Sequence, residues 1–181
     1  MKRLFKLTAL LCALALTVSL LVSCKTDTDD DDDDVSVGSV SPYLPAEFSD
    51  KTVAALYTFE ETESGNEDGI SFINKAVYSI YFFNDAKWIE TVSTSCTASN
   101  GYSATLKSSI AKGTYTHTGD FVNDTITLTR THEQPEGSTD IPNGSNIVEN
   151  NLVAVTPTDE EITVVNGSFD AHINDGVYTK R

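Results

Sequence analysis

Seven residues, Thr125-Ile-Thr-Leu-Thr-Arg-Thr131, alternate strictly between threonine and a larger side chain. A period of two sends Ile126 and Leu128 to one face and the threonines to the other. That is the pattern of a half-buried β-strand, and a helix cannot use it. The stretch before it has the same rhythm. In Gly113-Thr-Tyr-Thr-His-Thr-Gly-Asp120, Tyr115 and His117 share one face and three threonines the other. A turn around Gly119 to Asp124 joins the two into a hairpin.

The rest of the chain is compatible with more of the same. Val53, Ala55, Tyr57 and Phe59 alternate with Ala54, Leu56, Thr58 and Glu60, and the first set is expected to face a core. Glu61 to Gly69 is acidic, contains Gly and Ser, and reads as a loop. Ala76 to Phe83 is apolar on both faces, as in a strand covered on two sides. Asn84-Asp85 reads as a hairpin turn built on residues that tolerate positive φ. Lys87 to Thr94 returns with Trp88, Ile89 and Val92. Tyr102 to Lys112 fits a strand among strands, with a short helix as the other possibility. Glu133 to Ser145 is a long polar loop, and Leu152 to Val155 and Ile162 to Val165 are two further short strands. Asn166-Gly167 is a strong hairpin signal, Asn174-Asp175-Gly176 marks a second turn, and Val177 to Lys180 closes the chain. The expected fold class is all-β: an antiparallel up-and-down meander of about eight strands, closed as a barrel or folded as a β-sandwich.

The first residues have a different character. Lys2, Arg3 and Lys6 precede an uncharged run from Leu7 to Val22. Its 16 residues fall short of the roughly 20 that span a bilayer as a helix, so it reads as a secretory signal. It ends in Leu21-Val22-Ser23-Cys24, which resembles the lipobox of bacterial lipoproteins. The resemblance implies cleavage before Cys24, a diacylglyceryl group on its thiol and an acylated amine (palmitate or a similar chain). One acyl chain binds membranes marginally, at about 0.8 kcal/mol per buried methylene, and two chains on one cysteine are enough to anchor. The implied organisation is a signal peptide over 1–23, a tether over 24–45 and a folded domain over 46–181.

The tether carries six consecutive aspartates, Asp29 to Asp34. Like charges at this density repel and keep a segment extended. About 22 residues at about 3.6 Å each could hold the domain up to roughly 80 Å from the bilayer. A calcium loop starting at Asp27 fails, because Asp32 stands where an EF-hand turn needs Gly and Gly38 where it needs Glu. Acidic residues just after the lipidated cysteine resemble the surface-export signals of some bacterial lipoproteins. Lys25 also differs from the Asp that retains others at the inner membrane. Both imply a place at the outer membrane or cell surface.

From Tyr43 onward the chain has 20 acidic residues and 8 basic ones. Without clustered Lys and Arg it is unsuited to nucleic acid, and no nucleic-acid partner is expected. No metal-ligand spacing links His117, His132 and His172, and no cofactor motif is present. Glu60, Glu61 and Glu63 are neighbours in sequence but lack a cleft for acid–base work. Cys96 reads as a small buried hydrophobe. No catalytic set is found, so an enzyme is not expected.

The Gly113-x-Tyr115-x-x-x-Gly119-Asp120 strand feeding Thr125-Ile-Thr-Leu follows a Trp-bearing hairpin, Phe82 to Ile89. That order resembles small bacterial lipocalin-like lipoproteins. It implies a lipocalin-like barrel that binds a small apolar ligand, or a macromolecular partner through its loops. A small barrel can equally be filled by its own side chains.

Overall fold

The structure, a computed structural model, describes residues 40–135, 141–170 and 176–181. The expected signal peptide, Cys24 and the acidic run lie outside the described residues, as do His172 and the expected turn at Asn174-Asp175. Among the described residues there are nine strands: β1 Val53–Glu67, β2 Ile70–Phe83, β3 Lys87–Ala98, β4 Ser103–His117, β5 Asp124–Glu133, β6 Asn146–Glu149, β7 Val153–Val164, β8 Ser168–Asp170 and β9 Val177–Lys180. The helical content described is one short 3-10 turn, Ala46–Phe48.

The fold is all-β, an antiparallel meander of eight strands curled into a half-barrel, as in a lipocalin-like barrel. The order is β7-β5-β4-β3-β2-β1-β9-β8. The C-terminal hairpin therefore joins the first strand, with Tyr57 opposite Lys180 and Thr58 opposite Thr179. The Asn166-Gly167 turn has positive φ at both residues, 52° and 74°, as a two-residue hairpin loop requires. β6 departs from the expected up-and-down pattern. It pairs in parallel with β4 at Thr105 to Ser108, beyond the part of β4 that β5 covers.

Three expectations are corrected. Glu61 to Gly69 is mostly strand: β1 runs to Glu67 and turns through Asp68 and Gly69. The ladder from Ala55↔Phe82 to Glu67↔Ile70 overrides the weak strand preference of Glu, Ser and Gly. The two short strands around Pro157 are one strand, because the irregularity between Arg130 and His132 takes up Pro157, which has no N–H to give a ladder. At Asn84-Asp85 the positive φ falls on Ala86, at 59°.

Register sorts the side chains. Tyr57, Phe59, Tyr78, Ile80, Phe82, Trp88, Val92, Tyr115, Ile126, Leu128, Ile162, Val164, Phe169 and Tyr178 fill the concave side as one cluster. Each large member contributes about 2–3 kcal/mol by leaving water. Val53 does not join them: it is exposed, above a register shift before Ala55. Ala76 to Phe83 is buried at every residue, as its two-sided apolar pattern predicts. Near the end of β2 the outer cover is the segment that precedes β1. Phe48 stacks on Phe83 at 5.1 Å, Leu44 joins them, and the Thr91 hydroxyl donates to the Tyr43 carbonyl at 2.7 Å. Of the stretch Tyr102 to Lys112, Ser103 onward is strand, within β4, and Tyr102 just precedes it.

Candidate functional site

Trp88, Glu90 and Val92 occupy successive concave positions of β3, opposite Phe82, Ile80 and Tyr78 of β2. A carboxylate thus stands in the phase of the core. Glu90 is buried, and its Oε1 accepts a 2.8 Å hydrogen bond from the hydroxyl of Tyr178 on β9. Burial pushes the Glu90 carboxyl up to about 6, against the Tyr178 bond and the positive charge of Arg130, while Glu160 pushes the same way as burial. Tyr178 is raised well above the ordinary phenol range, first by its own burial and then by Glu90. Arg130 lies 3.7 Å from Glu160 and 3.6 Å from Glu133. Next to Glu90, the buried Trp88 indole N–H has no hydrogen-bond partner among the described residues. Its nitrogen lies 3.1 Å from where a Cβ on Gly113 would stand, and that Cβ would also meet the Thr129 carbonyl oxygen at 1.9 Å. Only glycine fits under this ring.

A second buried carboxylate organises the β4–β5 turn. Asp124 accepts from the backbone N–H of Thr118, Gly119 and Phe121 at 3.0, 2.6 and 3.0 Å. It also accepts from His117 Nδ1 at 2.9 Å, so that nitrogen carries the proton. Burial alone would raise the Asp124 pKa, but these four donors prevail and hold it below the usual carboxylate range. The Tyr57 hydroxyl donates to the Phe121 carbonyl beneath the turn. The arrangement locks a loop, and all of its donors are used within the protein.

Beside β9 the surface opens into a groove of about 400 Å³, bounded by Thr58, Phe59, Glu60, Gly176, Val177 and Arg181. It begins where the β1–β9 ladder stops, at Thr58.

The residues singled out in the sequence are not gathered into one site. His117 does share the concave face with Tyr115, and it stacks on Phe121 at 4.4 Å. His132 sits elsewhere on the sheet, opposite Lys112, with its Nδ1 2.9 Å from the Thr131 hydroxyl. Glu60 and Glu61 point to opposite faces of β1; Glu60 pairs with Arg181 at 2.7 Å. Cys96 is buried beside Ala98, Tyr102 and Ala104, as expected, but it is disulfide-bonded and so is not the free small hydrophobe that the sequence suggests. Glu90 was missed. The only sequence signal is its phase, midway between Trp88 and Val92. Among the described residues, no group of three or more His, Cys, Asp or Glu side chains is placed to hold a metal ion.

No family model matches this chain, and neither the curated proteins nor the solved structures compared with it contain a match.

Proposed function

We propose that this chain is a lipid-anchored bacterial envelope protein that holds a non-catalytic binding domain away from the membrane, at the outer membrane or cell surface. The observation that carries this reading is Leu21-Val22-Ser23-Cys24, set between a basic, uncharged-run leader and a block of six aspartates. The fold agrees with a display role. Its concave side is occupied by its own rings, with Trp88, Tyr57, Tyr78, Tyr178 and Phe82 almost fully buried. That favours contacts made at the surface over an apolar ligand held inside. Glu90 is committed to Tyr178, and Asp124 to a turn, so neither buried carboxylate is poised as a base.

Replacing Cys24 tests the anchor. Cys24→Ala is expected to move the protein from the detergent phase to the aqueous phase, or to leave an unprocessed precursor. Unchanged partition and unchanged size would overturn the lipoprotein reading. Native mass spectrometry of the processed chain separates the two binding modes: copurified lipid inside the domain would restore the apolar-ligand version.

A further inference from the structure

Three Asn-Gly pairs occur in the chain, Asn100-Gly101, Asn143-Gly144 and Asn166-Gly167, and each turns on a glycine with positive φ. In such a pair the main-chain nitrogen reaches the preceding carboxamide with least hindrance, because the glycine has no Cβ in the way. The attack makes three demands. The carboxamide must fold back over its own glycine nitrogen, that nitrogen must leave its hydrogen bond, and the amide oxygen must take up negative charge.

The fold meets these demands unequally. At Asn143 it clamps both reacting groups to the start of β4. The Asn143 Oδ1 accepts from the Ser103 N–H at 2.9 Å, and the Gly144 N–H donates to the Ser103 carbonyl at 2.7 Å. At Asn166 it clamps the main chain to the β4–β5 turn. The Gly167 N–H donates to the Val122 carbonyl at 2.7 Å, and the Asn166 N–H to Asn123 Oδ1 at 3.1 Å. Freeing either glycine means separating segments 40 or 43 residues apart in sequence.

At Asn100 the corresponding bonds are internal to the β3–β4 turn. The Gly101 N–H donates to the Ala98 carbonyl at 3.0 Å, and Asn100 Oδ1 accepts from the Tyr102 N–H, two residues on, at 3.0 Å. Ser99, Asn100 and Gly101 are exposed, and nothing lies within 4 Å of where a Cβ on Gly101 would stand. The turn can open while the Ala98 N–H keeps its 2.9 Å bond to the Tyr102 carbonyl below it. The Tyr102 N–H already points at the oxygen that becomes the oxyanion, and a fixed donor in that place lowers the barrier.

We infer that Asn100 is a site of spontaneous modification, converted to aspartyl and isoaspartyl residues in the folded protein ahead of the other two pairs. The Gly101 nitrogen bonds to the Asn100 Cγ and gives up its proton, the Cγ–Nδ2 bond breaks, and ammonia leaves. Water then opens the cyclic imide at either carbonyl. The turn gains one negative charge, and the isoaspartyl form also gains a main-chain methylene. The reaction uses only this turn and water, so it does not depend on the lipid-anchored reading.

The test holds the full-length chain in detergent at mildly alkaline pH and follows each pair by peptide mapping with fragment ions, beside a sample unfolded in guanidinium chloride. In the unfolded sample the three pairs should convert at similar rates. In the folded chain Asn100 is expected to convert at least about tenfold faster than Asn143 and Asn166, because its turn opens without breaking long-range contacts. Amide hydrogen exchange at Gly101 should exceed that at Gly144 and Gly167 by a similar factor. Asn100→Asp keeps an oxygen for the Tyr102 N–H. It should abolish the mass change in that peptide and leave the other two rates as they were. Three results would overturn the proposal: equal conversion of the three pairs in the folded chain; folding that slows Asn100 as much as it slows Asn143 and Asn166; or a Gly101 N–H protected as strongly as those of Gly144 and Gly167.

Discussion

Glu90 ties the core to pH through a single group. Its folded-state carboxyl titrates near 6 against an ordinary value of 4.5, so the folded chain holds this proton more tightly than the unfolded one. Stability from this source is complete below about pH 4.5 and is lost as pH rises through about 6. The difference amounts to about 2 kcal/mol at neutral pH, undiminished by solvent because the side chain is buried. Glu90→Gln keeps an oxygen for the Tyr178 hydroxyl and removes the charge. It should therefore unfold at higher urea than the natural chain at pH 8, by about 2 kcal/mol, and match it at pH 4.5. A variant no more stable at pH 8 would mean that the carboxylate is better solvated than its burial implies. Nothing in Trp88-Ile-Glu-Thr-Val announces this. Glu90 shares its face with Trp88 and Val92, and a glutamate in that position ordinarily marks a solvent face. What makes it a core residue is Tyr178, which is 88 residues away in sequence.

Among the elements, the hairpins with residues suited to their backbone were legible and the long-range ladders were not. Asn166-Gly167 and the Thr125–Thr131 alternation are local signals, and both elements form where the sequence puts them. The far half of β1 has no such signal. It is acidic and small-residue rich, and it becomes a strand because β2 runs beside it and the Phe72 ring lies across Gly65, 2.6 Å from a Cβ built there. β6 was illegible for the same reason: its four residues acquire meaning only against β4. The β2–β3 turn lies between these cases. Its place was readable, but its one left-handed residue is Ala86, which follows the Asn and Asp that would take that conformation more easily. Ala86→Gly should accordingly raise stability by about 0.5–1 kcal/mol, read as a shift in urea midpoint with unchanged slope. A loss of stability would show that the Cβ of Ala86 makes contacts worth more than the strain.

At the scale of the molecule, the last strand closes the first. β9 pairs with β1 over two residues, which is a short ladder for joining the ends of a domain. Most of the closure is carried by Tyr178. Its ring packs on Phe59 and Phe169 at 5.0 and 5.1 Å, and its hydroxyl reaches across to Glu90 on β3. Tyr178→Phe separates the two contributions. The ring contacts stay, and the buried carboxylate loses its donor. A hydrogen bond to a charged group is worth about 1.5–3 kcal/mol, and a neutral one about 1. The variant should therefore lose about 1 kcal/mol at pH 4.5, where Glu90 is protonated, and more at pH 8. Because the hydroxyl holds the Glu90 carboxyl down, its removal lets burial push that group further up. The fall in stability with pH should then still begin near pH 4.5 but continue to a higher pH than in the natural chain. Urea denaturation at several pH values reads both effects. If the last strand belongs to the same cooperative unit, the slope of the transition will stay that of the natural chain. A loss equal at all pH values would place the Tyr178 hydroxyl outside the control of the Glu90 charge, and a shallower slope would show β9 opening ahead of the rest.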